Sequence, residues 1–267
     1  MAARVNGLAL FRLDGRVALV TGAAGHLGRV MSRALAEAGA HVVLNGRNES
    51  RLRDLAGEMK ASGLSAECAP FDVMDSAQLR QSLSRYGRLD VIVNNAVTMT
   101  PGSMAALGAS DFESVYRSAV TAAFEIVRSA LPALRAAVRD AGEASVVNIS
   151  SMYGAVAPDS RIYSDPGQAS PLHYGPAKAA LLQLTRHLAA ELGPEKIRVN
   201  ALVPGPFPRE EVTGRDPEFA ARLAARTMLG RTGAAAEIAG PLLFLASPAS
   251  SFVTGATLIA DGGWTAW

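Results

Sequence analysis

With 267 residues, 49% of them hydrophobic and only 6% aromatic, the chain has the apolar material for one full core packed from small aliphatic side chains. Its net charge of +2 comes from a slight arginine excess spread along the chain and argues against a nucleic-acid or membrane partner. The single cysteine, Cys68, rules out an intramolecular disulfide and offers no metal-ligand spacing, so no metal is expected and a buried or half-buried thiol is the plainer reading. No apolar run approaches the ~18 residues of a membrane span, the start MAARVNGLALFRLDG lacks a signal-peptide pattern, and a cytoplasmic protein is expected.

In chain order, short β-branched runs alternate with helical patterns. RVALVT (16–21) reads as a strand, and HLGRVMSRALAEAGA (26–40) as a helix with Leu27, Val30, Met31, Ala34, Leu35 and Ala38 on one face. HVVLN (41–45) is a strand, followed by an amphipathic helix ending at Gly63; SAECAPF is a third strand and SAQLRQSLSRYG a third helix. LDVIVNNA (89–96) is the fourth strand, and residues 110–140 form a long helix in which Pro132 predicts a kink. ASVVNISS (144–151), IRVNALV (197–203) and ATLIAD (256–261) are further strands, separated by the helices HYGPAKAALLQLTRHLAAELG and AAAEIAGPLLFLAS. Unbroken Val/Ile/Leu runs mark strands buried on both faces. The rhythm predicts an α/β fold, a Rossmann-like doubly wound parallel sheet with helices on both faces, as one domain over 1–267 with an N-terminal extension at 1–14. In such sheets ligands bind beyond the carboxyl ends of the strands.

VTGAAGHLG (20–28) lies at such a place, between a strand and a helix. Its glycines suit a tight turn with close backbone approach to a phosphate, which the free N–H groups of the helix N-terminus would bind. After the second strand, an acid would hydrogen-bond the ribose of NAD. Here the sequence reads VVLNGRN, with Asn45 and Arg47 and no acid until Glu49. Arg47 can grip a 2′-phosphate with its planar fork, or be a solvated surface arginine. The missing acid favours NADP(H), with NAD(H) as the alternative.

The chain has three lysines, Lys60, Lys178 and Lys196, and Lys178 stands four residues after Tyr174 in HYGPAKAA. Four residues apart on a helix, the two side chains share a face. A phenol is a poor acid or base at neutral pH unless a neighbouring ammonium stabilises its phenolate. Alone, this spacing also arises by chance.

Together the motifs resemble the short-chain dehydrogenase/reductase family, in order and over nearly the whole chain. They are the glycine turn, FDV (71–73), NNA (94–96), VVNISS (146–151), YGPAK (174–178), IRVNALVPGP (197–206) and TGATLIADGG (254–263). The resemblance implies an NAD(P)-dependent enzyme interconverting a carbonyl and a secondary alcohol. Tyr174 would be the general acid, Lys178 its pKa-lowering partner and ribose ligand, and Ser151 the hydrogen bond to the substrate oxygen, with Ser150 as fallback. The cofactor would contact Gly22, Gly25, His26, Leu27 and Gly28 at the turn, Asn45 and Arg47 after the second strand, and Asp72 and Val73 at the adenine. Asn95 and Ala96 would wall the fourth strand, and Pro204, Gly205 and Phe207 would line the nicotinamide. The family also implies a substrate lid over 206–227 and a homotetramer or homodimer, to which DGGWTAW could add an apolar contact.

The chain departs from the family pattern at several points. His26 occupies the second glycine position of the turn, with a glycine one place earlier; it could reach the pyrophosphate or face solvent. Val97 follows NNA where glycine is usual. Ala119 falls where an asparagine supports the lysine through a water-linked relay; Ser118 and Thr121 would face elsewhere on a regular helix. That gap makes a catalytically weak or inactive NADP(H)-binding sensor or scaffold the rival reading. Ser151 and Tyr174 are 23 residues apart (174 − 151), well above the usual spacing. The extra loop, carrying Tyr153, Arg161, Tyr163 and Asp165, would either overhang the active site and narrow substrate choice or make subunit contacts. Arg161, Arg209 and Arg215 could together receive an anionic or polyhydroxylated substrate, and with the family resemblance this suggests a sugar, sugar acid or polyol.

Overall fold

A computed structural model of the chain describes residues 6–164 and 169–267. Seven strands form one parallel sheet: β1 (Val17–Val20), β2 (His41–Gly46), β3 (Ala66–Pro70), β4 (Val91–Asn94), β5 (Ala144–Ile149), β6 (Ile197–Pro204) and β7 (Thr257–Ala260). Their order across the sheet is β3-β2-β1-β4-β5-β6-β7. The chain therefore winds outward from β1 to β3, then crosses back to β4 and winds the other way.

Apolar residues fill both faces of the strands, because successive side chains point to opposite sides. Ala18 and Val20 join Val42, Leu44, Val91 and Val93 in one layer, where α1 (His26–Glu37), α2 (Glu49–Ala61) and α9 (Ala239–Ala246) pack. Leu19, Val43 and Ile92 enter the opposite layer, covered by α3 (Ser76–Leu83), α5 (Ala122–Ala141) and α6 (Tyr174–Leu192). Asn48 and Asp75 cap α2 and α3, each accepting hydrogen bonds from first-turn N–H groups. Cys68 is half-buried, and burial pushes its thiol pKa up.

The long helix expected over 110–140 has a different irregularity from the one Pro132 suggests. It is α4 (Ala109–Tyr116), then a π-helical turn over Arg117–Thr121, then α5, which carries Pro132 in its interior without breaking. The segment after β6 folds into two short helices, α7 (Glu210–Arg215) and α8 (Pro217–Ala225). The second is started by Pro217, with the Asp216 carboxylate accepting from the Phe219 N–H at 2.8 Å. Among the described residues, no helix is long and apolar enough to cross a membrane, and no group of three or more His, Cys, Asp or Glu side chains is placed to hold a metal ion.

Candidate active site

The loops leaving β1 and β4 diverge where the strand order reverses, and the crevice opens there. It forms a cleft of about 700 Å3 along the carboxyl edge of the sheet. Every residue singled out above for cofactor or chemistry lines this cleft, because each ends or follows a strand or lies in the first turns of the helix after one.

At the glycine turn, Gly22 has φ +63°, a left-handed conformation that disfavours a side chain. A Cβ on Gly28 would lie 2.2 Å from the Gly22 carbonyl oxygen, so α1 can approach β1 this closely only with glycine there. Gly25 caps α1 in extended conformation without a side-chain bond, leaving first-turn N–H groups facing the cleft. The displaced glycine of this turn thus still yields a cradle shaped for a phosphate. His26 lines the cleft and is held by a further contact. Its Nε2 donates to the Phe207 carbonyl at 3.1 Å, tying the start of α1 to the loop after β6.

The loop after β4 is pinned by Thr21. The Thr21 hydroxyl accepts from the backbone N–H of Asn95 at 2.9 Å and of Ala96 at 3.0 Å, while the Asn95 amide donates to the Thr21 carbonyl at 2.9 Å. Asn45 is fully buried and donates to the carbonyls of Ala69 and Phe71, each at 3.1 Å, leaving its side-chain oxygen without a partner among the described residues. Arg47 is exposed at the cleft edge, and Arg51, one helical turn further on, lines the same end. Arg51 was not singled out from sequence, although its i+4 spacing from Arg47 was visible. Asp72 is the only carboxylate lining the cleft among the described residues, and its Oδ1 accepts from the Met74 N–H at 2.9 Å. The cleft therefore presents cations and free N–H groups along its length, as a dinucleotide phosphate needs.

At its inner end lie Ser151, Tyr174 and Lys178. The two serines after β5 are distinct. Both line the cleft, but Ser150 donates to the Lys178 carbonyl at 2.8 Å, whereas Ser151 lies beside the Tyr174 hydroxyl and also lines the cavity on its other side. Lys178 is buried; its ammonium donates to the Ile149 carbonyl at 2.7 Å and lies 5.6 Å from the Tyr174 ring centroid. Burial lowers its pKa from 10.5 to about 8. Burial also raises the Tyr174 pKa, while the nearby Ser151 hydroxyl pulls it the other way by favouring the phenolate.

Ala119 is buried against Val115 and Ala177, and Tyr174 packs on this cluster. It sits in the π turn, which also alters its neighbour. Ser118 does not face away but lines the cleft, donating to the Val115 carbonyl at 3.1 Å and accepting from the Thr98 N–H at 3.0 Å. Thr121 is exposed. Val97 lines the cleft and packs on the same apolar cluster as Ala119.

A second cavity, about 360 Å3, opens on the other side of Ser151 and Tyr174. The loop between them contributes Met152, Tyr153, Tyr163, Ala169, Ser170 and Pro171 to its wall. Asp165 of that loop lies outside the described residues. The three arginines expected to meet a polar substrate do not converge. Arg161 is 85% exposed and paired with Asp159 at 2.8 Å, Arg209 lines the cofactor cleft, and Arg215 ends α7 and lines neither cavity.

Comparison with known proteins agrees with this geometry. The family model described as Enoyl-(Acyl carrier protein) reductase matches residues 22–265. A rhamnolipid-biosynthesis 3-oxoacyl-[acyl-carrier-protein] reductase of Pseudomonas aeruginosa is 35% identical over 95% of this chain and 98% of its own. A gluconate 5-dehydrogenase of Gluconobacter oxydans is 34% identical over 96% of this chain and 97% of its own. The crystal structure of a gluconate 5-dehydrogenase from Burkholderia cenocepacia, in complex with NADP and tartrate, superposes with a TM-score of 0.86 at 34% identity, covering 98% of this chain and all of that one. The chain belongs to the short-chain dehydrogenase/reductase family, and it is an NAD(P)-dependent oxidoreductase acting on CH–OH and C=O groups.

Proposed function

We propose that the protein is an NADP(H)-preferring reductase and dehydrogenase in which Tyr174, Lys178 and Ser151 perform the proton chemistry. The observation that carries this reading is their convergence at the inner end of a glycine-cradled cleft, between that cleft and a second cavity. The cradle fits a dinucleotide because Gly22 and Gly28 let the turn close this tightly: a Cβ at either would strike Asn95 or the backbone of the turn itself. A bound nicotinamide would supply or accept the hydride.

The residues of the chain do the rest. Ser151 and Tyr174 hold the substrate oxygen from the side of the second cavity. In reduction, Tyr174 gives its proton to that oxygen; in oxidation, it withdraws one. Lys178 presents a cation beside the phenol, anchored by the Ile149 carbonyl rather than by an asparagine at position 119. Arg47 and Arg51 would grip a 2′-phosphate, and no carboxylate following β2 lines the cleft to compete for a ribose diol among the described residues; Asp72, after β3, is the one carboxylate there. Cofactor would enter first and substrate second, beneath the lid formed by residues 206–227. Exposed Phe252, Leu229, Ile259 and Trp267 support self-assembly into a homodimer or homotetramer; Trp264, by contrast, is buried within its own chain. The sugar or polyol class expected for the substrate draws on family analogy and on three arginines, and the arginines do not share the cavity. The sensor or scaffold reading rested on Ala119 and gains no support from relatives that are oxidoreductases.

Titration of the purified protein with NADPH and NADH, followed by a carbonyl panel monitored by loss of reduced-cofactor absorbance, tests the reading. Tighter NADPH binding with turnover of at least one ketone supports it. Tighter NADH binding would overturn the cofactor preference, and tight binding with inactivity across the panel would favour the sensor.

A further inference from the structure

We infer that the second cavity selects an uncharged ketone, or its secondary alcohol, with an apolar frame and one hydrogen-bond acceptor remote from the reacting carbon. This rests on the oxidoreductase reading above. At about 360 Å3 the cavity suits a compact small molecule. Its inner end is Ser151 and Tyr174, where the reacting oxygen would sit, and its walls are Met99, Pro101, Met152, Ala169 and Pro171. Among the described residues no charged side chain lines it. A substrate carboxylate placed there would lose water without gaining a cation to pair with, which is costly. A polyol would bring several hydroxyls to a wall that can satisfy few of them.

The polar groups away from the reacting end are few and specific. The Tyr153 and Tyr163 hydroxyls lie 2.9 Å apart, and both residues line the cavity. Two hydroxyls carry two protons, and their mutual bond uses one. The other has no acceptor among the described residues, and a ligand in the cavity could accept it. Ser170 also lines the cavity, with its hydroxyl oxygen buried and without a partner among the described residues. The tyrosines are held in place from behind. Tyr153 is buried with its ring edge-on to Trp264, centroids 6.5 Å apart, and Tyr163 packs on Phe219 of α8 at 5.5 Å. A fixed donor of this kind discriminates against analogues that lack the acceptor, because the bond it would make is then lost.

The test compares four carbonyls with NADPH and the full chain: the ethyl ester of a ketocyclohexanecarboxylic acid, the free acid, cyclohexanone and a ketogluconate. The ester is expected to exceed the free acid and cyclohexanone in kcat/KM by about tenfold each, and ketogluconate to be the poorest substrate. In the double variant Tyr153→Phe/Tyr163→Phe, the ester-to-cyclohexanone ratio is expected to fall about tenfold. The double change is needed because either hydroxyl alone keeps a proton to donate. General damage to the pocket would lower both substrates together and leave the ratio in place, and an unchanged ratio overturns the assignment of the tyrosine pair. A preference for the free acid or ketogluconate overturns the proposal while leaving the oxidoreductase reading intact; no NADPH oxidation with any of the four overturns both. The wild-type ratios carry the test of substrate class if the double variant does not fold.

Discussion

Lys178 carries a free-energy cost that pH can expose. Its pKa is lowered from 10.5 to about 8 because burial disfavours the cation. Between those values the unfolded chain holds more protons than the folded one, so stability rises with pH across that window. Below about pH 8 the folded protein bears the full penalty, about 3 kcal/mol by linkage. Denaturant unfolding of the wild type and Lys178→Met at about pH 7.5 and about pH 10 should show the wild type gaining 2–3 kcal/mol, as an order of magnitude, relative to the variant at the higher pH. An equal difference at both values would contradict the buried, unpaired cation. At the far end of the cleft, Arg47→Ser/Arg51→Ser should weaken NADPH binding about 10- to 100-fold, from the loss of charge-assisted bonds to a phosphate. NADH affinity should move far less, and equal weakening of both cofactors would place the arginines elsewhere. The residues of the candidate site were legible in the sequence where short motifs bind them together, as in YGPAK and the glycine turn. The partners of those residues were not: the Ile149 carbonyl that holds Lys178 is a backbone atom on another element, and Phe207, which accepts from His26, is 181 residues away.

Two elements give the site the shape the motifs leave open. The π turn at Arg117–Thr121 lets Ser118 line the cleft while Ala119 stays buried beside Val115. No periodicity announces such a turn, since it adds one residue to one helical round. Pro132, the visible irregularity, leaves α5 continuous. The loop between Ser151 and Tyr174 walls the second cavity and is bound to α8. Arg222 of α8 donates to the Ile162 carbonyl at 2.6 Å, and Arg226 lies 3.9 Å from Asp159. The Asp159 carboxyl is held down at about 2, chiefly by its hydrogen bond to Arg161, so it remains an anion throughout the working pH range. α8 therefore braces the loop that walls the cavity, and Arg222→Ala should loosen it. The expected result is a rise in substrate KM of about fivefold from one lost charge-assisted bond, with cofactor Kd much less affected. An unchanged KM would show that the two segments act separately. The sequence marked this loop only by its length; the pairing of Tyr153 with Tyr163 and of Ile162 with Arg222 depends on how the loop folds back.

At the scale of the molecule, the strand order was readable in kind, because β4, β5 and β6 are buried throughout and their apolar runs need helices on both faces. The order itself follows from βαβ handedness together with one reversal, and that reversal sets the crevice between β1 and β4. The fold thus brings segments from residues 22 to 209 to one edge and divides them by function, phosphate grip at one end and proton chemistry at the other. Tyr174 stands where the two cavities meet, with burial keeping its proton on at neutral pH. Alcohol oxidation should accordingly speed up as pH rises toward the phenol range, while carbonyl reduction should not share that rise. The most direct test of the account is Tyr174→Phe, assayed for NADPH binding and for turnover of the best ketone from the panel. The account predicts a Kd within a fewfold of wild type and a loss of kcat of about 100-fold or more, the worth of a positioned general acid. Wild-type turnover by the phenylalanine variant would contradict it.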